Sequence, residues 1–189
     1  MATLKLFMLM LGGKPFGRHT EQHDIFFAIG ESPKTLVDEI NAFWPEAKGK
    51  LHVDAWREVN KVNGYRIEVT DKTSSVVDRK GQKLFFINLG GYQEGLFDEP
   101  HFKVITAQPD KAKAIAYAKN TVFFREVHFP GAESHVDDKY GLDVDDLYEI
   151  EEILPDGQKE RYALKITPAD NELPEDQIHL GYFKLNALP

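Results

Sequence analysis

The sequence predicts an α+β fold: two divergent copies of one strand–loop–strand–helix–strand-hairpin unit, packed as a pseudo-twofold pair. Three observations carry that expectation. Leu11-Gly12-Gly13 closes an apolar run and returns as Leu89-Gly90-Gly91, with Gly17, Glu21 and His23 meeting Gly95, Glu99 and His101 at the same offset of 78. A five-position helical stripe recurs at that offset. His52-Val53-Asp54 returns as His135-Val136-Asp137, at an offset of 83. Self-similarity over such a period fixes architecture before any motif does. The expected division is copy one over residues 1–72, a linker over 73–82, copy two over 83–168 and a tail with a final strand over 169–189.

In copy one, Leu4 to Leu11 is an apolar run of strand length. Gly12 to His23 reads as a long loop, and Asp24 to Ile29 as a second buried strand. Ser32-Pro33 opens a helix, with Ser at the N-cap and Pro in the first turn. Leu36, Val37, Ile40, Phe43 and Trp44 form one stripe, so the helix packs through one face, and Pro45 stops it. Leu51 to Val62 is extended. Asn63-Gly64 marks a tight hairpin whose turn positions both need positive φ, and Tyr65 to Val69 returns.

In copy two, Lys83 to Leu89 and His101 to Thr106 are the expected strands. A helix starts near Pro109-Asp110, with stripe positions Ala114, Ile115, Ala118, Thr121 and Val122. The growth in offset places an insertion between Phe123 and Ser134. A longer hairpin is expected over Leu154 to Arg161, with Pro155-Asp156-Gly157 as its turn. Ile178 to Phe183 reads as a last strand on a sheet edge.

The chain has 189 residues, no cysteine and a net charge of −8. Disulfides and thiolate chemistry are excluded. Residues 1–80 carry 12 Lys+Arg against 11 Asp+Glu, and residues 81–189 carry 11 against 20. That acidic second half argues against a nucleic-acid partner, which demands positive charge. No segment reaches the ~20 apolar residues of a membrane span. Lys5 followed by Leu6 to Leu11 is too short for a signal peptide. A cytoplasmic protein is expected.

The string Leu11 to Asp24, with Phe43-Trp44-Pro45-Glu46-Ala47 and Leu51-His52-Val53-Asp54-Ala55-Trp56, resembles a bacterial family named only as a domain of unknown function. In that family the domain occurs in one or two copies. The resemblance spans nearly all of copy one and, more weakly, copy two. It implies no activity and supplies no catalytic residues.

Three motifs come close to known chemistry and miss it. Gly12-x4-Gly17-Arg18-His19 lacks the Lys-Ser/Thr and the helix of a phosphate-binding loop. His19-Thr20-Glu21-Gln22-His23 has its Glu one place late for a metalloprotease helix. Asp137 to Asp146 never sets Gly sixth and Glu twelfth, as an EF-hand requires. His23, His52 and Asp54 would make a sensible three-ligand metal set if the fold joined them. The favoured reading is that both histidines bond backbone and hold the loop, so no metal and no cofactor is expected.

Residues shared by both copies serve the fold first. The copy-one loop alone carries Lys14, Arg18, Gln22 and Asp24. The candidate binding residues are therefore Arg18, Glu21, His23 and Asp24, with His52, Asp54 and Trp56 alternating onto one face of their strand. An Arg fork near an aromatic and a carboxylate suits a small anionic or planar ligand, or a protein partner. The competing reading is an Arg18–Asp24 or Arg18–Glu21 clamp. A binding module ranks first, an interaction module using the acidic half second, and an enzyme with a His/Asp acid–base site third. Oligomeric state is not readable.

Overall fold

The computed structural model describes residues 3–73, 81–91, 95–120, 142–170 and 172–189. The chain forms two compact units, one from Met1–Val77 with Ile153–Pro189, the other from Asp78–Glu152. Its fold is α+β.

The first unit holds a four-stranded antiparallel sheet. Its strands are β1 (Lys5–Gly13), β2 (Gln22–Gly30), β3 (Leu51–Glu58) and β10 (His179–Lys184), in the order β10-β3-β1-β2. Phe7, Leu9 and Leu11 of β1 point to one face. There they pack with Phe26, Ala28, Leu51 and Val53 under Leu36 and Ile40. The last two come from a short 3-10 turn, Pro33–Leu36, that runs into α1 (Val37–Phe43). Ser32 stands extended before the turn, and the Thr35 hydroxyl donates to its carbonyl at 2.7 Å. The helix ends before Pro45, which cannot continue it. The expected tight turn forms at Asn63 and Gly64, with φ of 51° and 77°.

That turn joins β4 (Lys61–Val62) to β5 (Tyr65–Asp71). The partner of β5 is β9 (Tyr162–Pro168), with Ile67 opposite Ile166. This corrects two expectations. Tyr162–Pro168, expected within copy two, pairs with β5 instead, so the boundary at 168 cuts through the first unit. Nor do residues 154–161 form a hairpin, since Asp156–Arg161 is a short helix, α3. Pro155 fixes its entry, Asp156 sits in the first turn, and Lys159 and Arg161 sit in the last, each matching the helix dipole. The Gln158 side chain of α3 reaches the edge of β2, accepting from Ile29 N–H at 2.7 Å and donating to its carbonyl at 2.9 Å.

The second unit holds β6 (Lys83–Gly91), β7 (His101–Gln108) and β8 (Leu142–Glu149), ordered β7-β6-β8. Ala114 and Ala118 of α2 (Lys111–Lys119) lie fully buried against Phe85, Ile87 and Leu89. Asp110 caps the helix by accepting from Lys113 N–H at 2.8 Å. Thr121, Val122, the expected insertion and the His135-Val136-Asp137 echo lie outside the described residues.

The registers of the two sheets correspond rung by rung. Gly12 faces His23 and His52, and Gly90 faces His101 and Asp143. Lys5–Glu58 and Lys83–Glu149 close matching ion pairs, each 2.7 Å long. The strand in the place of β3 is thus Leu142–Glu149, at an offset of 91. Leu51-His52-Val53-Asp54 corresponds to Leu142-Asp143-Val144-Asp145. The pairing drawn at an offset of 83 is corrected accordingly: His52 answers to Asp143, not to His135.

Candidate functional site

The site grows from a missing side chain. Leu11 fills the core, so Gly12 faces the opposite side of the sheet. Its neighbours on that face are His23 of β2 and His52 of β3. A Cβ at Gly12 would collide with His52 Nε2 and Asp54 Oδ2. Only glycine leaves room for those groups to meet over the middle strand.

Four side chains converge there. His52 Nε2 is 3.2 Å from Glu21 Oε1 and 3.2 Å from Asp54 Oδ1. His23 Nε2 is 3.2 Å from Asp54 Oδ2 and 3.9 Å from Glu21 Oε2. The His52 side chain is 6% exposed, whereas Glu21 and His23 are nearly half exposed. The cluster therefore has a buried floor and an open rim. Tyr182 of β10 stacks on the His52 ring at 4.2 Å.

The short distances do not satisfy the groups. His52 Nε2 and Asp54 Oδ2 are buried without a hydrogen-bond partner. The carboxylate oxygens lie 3.2 Å from the ring nitrogen, yet no hydrogen bond forms to it; distance alone does not make one. The expectation that both histidines bond backbone and hold the loop is not met among the described residues: each Nε2 lies beside carboxylate oxygens instead.

A bulge places Asp54. Val53 pairs with Leu11 and Ala55 with Met10, which leaves Asp54 as the extra residue. The bulge also reverses the alternation beyond it. Trp56 therefore pairs with Leu9 on the core face, where its ring tilts on Phe7 at 6.3 Å and stacks on His179 at 3.9 Å. The expectation that Trp56 shares a face with His52 and Asp54 is corrected.

Two further candidates lie apart from the cluster. Asp24 pairs with Leu11, on the other face from His23, and accepts from Ile25 N–H at 2.7 Å. Arg18 is exposed in the loop, its backbone N–H turning onto Pro15 O at 3.3 Å. No ion pair joins it to Glu21 or Asp24 among the described residues, so the expected clamp is absent. Four of the seven candidates come together: Glu21, His23, His52 and Asp54. Gly12 and Tyr182 join them. The shared rung at Gly12 could be found only by pairing the strands, and Tyr182 arrives from a tail strand with no motif.

A separate groove of about 510 Å³ in the first unit is lined by Lys5, Glu58, Arg66, Glu68 and residues 173–177. It contains none of the seven candidates. Asp176 stands in it, accepting from Asn60 N–H and Lys61 N–H at 3.0 and 3.2 Å. Burial still pushes its carboxyl above the usual value, against the pull of those donors and of Arg57.

Residues 18–69, which include all seven candidates, match the model of a family described as Domain of Unknown Function (DUF1543). The resemblance seen in the sequence is to a family of this kind, with no assigned activity. In fold the chain is similar to the crystal structure of a protein Il1583 from Idiomarina loihiensis. The TM-score is 0.63 at 21% identity, over 96% of this chain and 98% of that one. No curated protein matches.

Proposed function

We propose that the chain is a binding module whose ligand site is the cluster of Glu21, His23, His52 and Asp54 above Gly12. The observation that carries this reading is the buried, unpartnered His52 Nε2. An unsatisfied buried polar atom costs about 1–3 kcal/mol, and a ligand seated among these four groups would remove that cost.

The chemistry of the ligand follows from the groups that converge. Two carboxylates and two imidazoles suit a cation or a hydrogen-bond donor. The anionic ligand suggested by Arg18 loses its support, because Arg18 stands away from the cluster. The internal repeat fits this division of labour, with common register and common bulges in both sheets. Only the first sheet sets a histidine on each side of its glycine; in the second unit Asp143 takes the place of His52. The second copy then serves as scaffold.

The test is a thermal-shift screen of metals, amines and small polar molecules on the full chain, repeated with His52→Ala and Glu21→Gln. A ligand of the folded state raises the melting temperature by mass action. The expected hits vanish in both variants. Hits that persist undiminished in both would remove the site from this cluster.

A further inference from the structure

Resting on that reading, we infer that the cluster takes a divalent first-row transition-metal ion, with His23, His52, Asp54 and Glu21 as ligands. Imidazole and carboxylate together are the donor set of zinc and its neighbours rather than of calcium or magnesium. In a tetrahedral zinc site with arms of roughly 2.0–2.1 Å, neighbouring donor atoms lie about 3.3 Å apart. Three of the four nitrogen–oxygen separations here are 3.2 Å; they reach both oxygens of Asp54, so one ion would take that carboxylate through both oxygens or draw the imidazoles onto a shared one.

The second observation is independent of those distances. His52 Nε2, buried and unpartnered, is aimed into the cluster with Asp54 Oδ2 orphaned beside it. Donors that surround a point without bonding one another are arranged for something between them. Gly12 supplies the space, since any side chain there would overlap the same two atoms.

In their present positions no three of the described His, Asp and Glu side chains form a finished ion cage. The open edge is His23 to Glu21, at 3.9 Å. Both residues are nearly half exposed, so rotation about their side-chain bonds can close it while the buried His52 stays fixed. Tyr182 stacks on that ring at 4.2 Å.

The experiment uses the full chain stripped of metal with a chelator. Zn²⁺ is titrated by calorimetry, and Co²⁺ by the visible absorption that reports its coordination. The expected result is one Zn²⁺ per chain, with His52→Ala and His23→Ala each weakening binding on the order of a hundredfold, at or beyond the loss from removing a supporting neighbour of a ligand. His19→Ala, in the exposed loop, should bind as the wild type does. Glu21→Gln changes an exposed residue and keeps a binding readout should His52→Ala fail to fold; it should weaken Zn²⁺ at least tenfold. Zn²⁺ affinity unchanged in both His23→Ala and Glu21→Gln would overturn the inference, as would absence of binding to the wild type. If Zn²⁺ fails while an organic hit from the screen still shifts the His52 ring resonances, the metal assignment falls and the binding module stands. If neither moves them, both fall.

Discussion

Gly12 and His52 are direct partners across β1 and β3, and the Cβ that Gly12 lacks would land on the His52 ring nitrogen. Gly12→Ala should therefore destabilise the protein by about 1–3 kcal/mol, the usual cost of forcing an extra group into a packed place. Adding His52→Ala should restore part of that loss, because it removes what the methyl strikes. Urea unfolding of the two variants and the wild type reads this directly. Gly17→Ala makes a useful contrast. Nothing lies near a Cβ there, but its φ is +82°. Its cost of about 1–2 kcal/mol comes from the backbone alone, and His52→Ala should not relieve it.

Trp56 belongs to the core, and its removal should behave that way. Trp56→Ala should cost about 3 kcal/mol, at the low end for a large aromatic because Trp56 is only partly buried. Denaturation followed by circular dichroism gives the loss. Ligand or metal binding in the folded fraction should be unchanged. A specific binding defect would return Trp56 to the site.

Arg18→Ala tests the missing clamp. With no ion pair to Glu21 or Asp24, its effect should stay within about 0.5 kcal/mol, as for an ordinary surface substitution. A shift in urea midpoint beyond that would show that the guanidinium orders the loop in solution.

Asp176 gives stability a pH dependence of definite sign. Its carboxyl titrates above the ordinary value near 3.8 because burial penalises the charge. Its contribution is complete below the unfolded value and is lost as pH rises through the raised folded value. Asp176→Asn keeps an acceptor for the Asn60 and Lys61 amides but cannot titrate. The difference in unfolding free energy, wild type minus variant, should thus fall as pH rises upward from the ordinary carboxylate range. Urea midpoints at several pH values measure it, and a rising difference would contradict the assignment.

Local chemistry was legible in the sequence wherever one short segment decides the structure. Asn63-Gly64 forms its turn and the second helix starts beside Pro109-Asp110, as their residues dictate; Ser32-Pro33 opens a 3-10 turn without a Ser32 side-chain cap, and Phe43 of the stripe stays 42% exposed. What escaped was long-range. The bulge at Asp54 depends on how β1 and β3 meet, and no local pattern announces it; one inserted residue moved Trp56 to the other face. The second His-Val-Asp matched three identities and so outweighed Leu-Asp-Val-Asp. Only the rung opposite Gly90 shows that Asp143 holds the corresponding place. Nothing local in Tyr162 to Pro168 announces its pairing with Tyr65 to Asp71, which spans about half the chain. The site was half legible for the same reason. Glu21, His23, His52 and Asp54 stood out by residue type, while Gly12, the place where they meet, looked like a turn glycine.

The Gln158 side chain on Ile29 bears on the behaviour of the molecule in a crowded solution. A sheet's outermost strand offers unpaired amides and carbonyls on which another chain can pair. In the four-stranded sheet, Gln158 fills one such rung of β2 with an amide that imitates a strand but ends after a single residue. At the opposite edge, β10 breaks register between Leu180 and Phe183, with Gly181 at φ +151°. One border is plugged and the other bent, so neither gives an incoming strand a straight, open track. Gln158→Ala should cost only about 1 kcal/mol of stability, yet it should raise the rate of thioflavin-positive aggregation at a temperature where the variant remains folded.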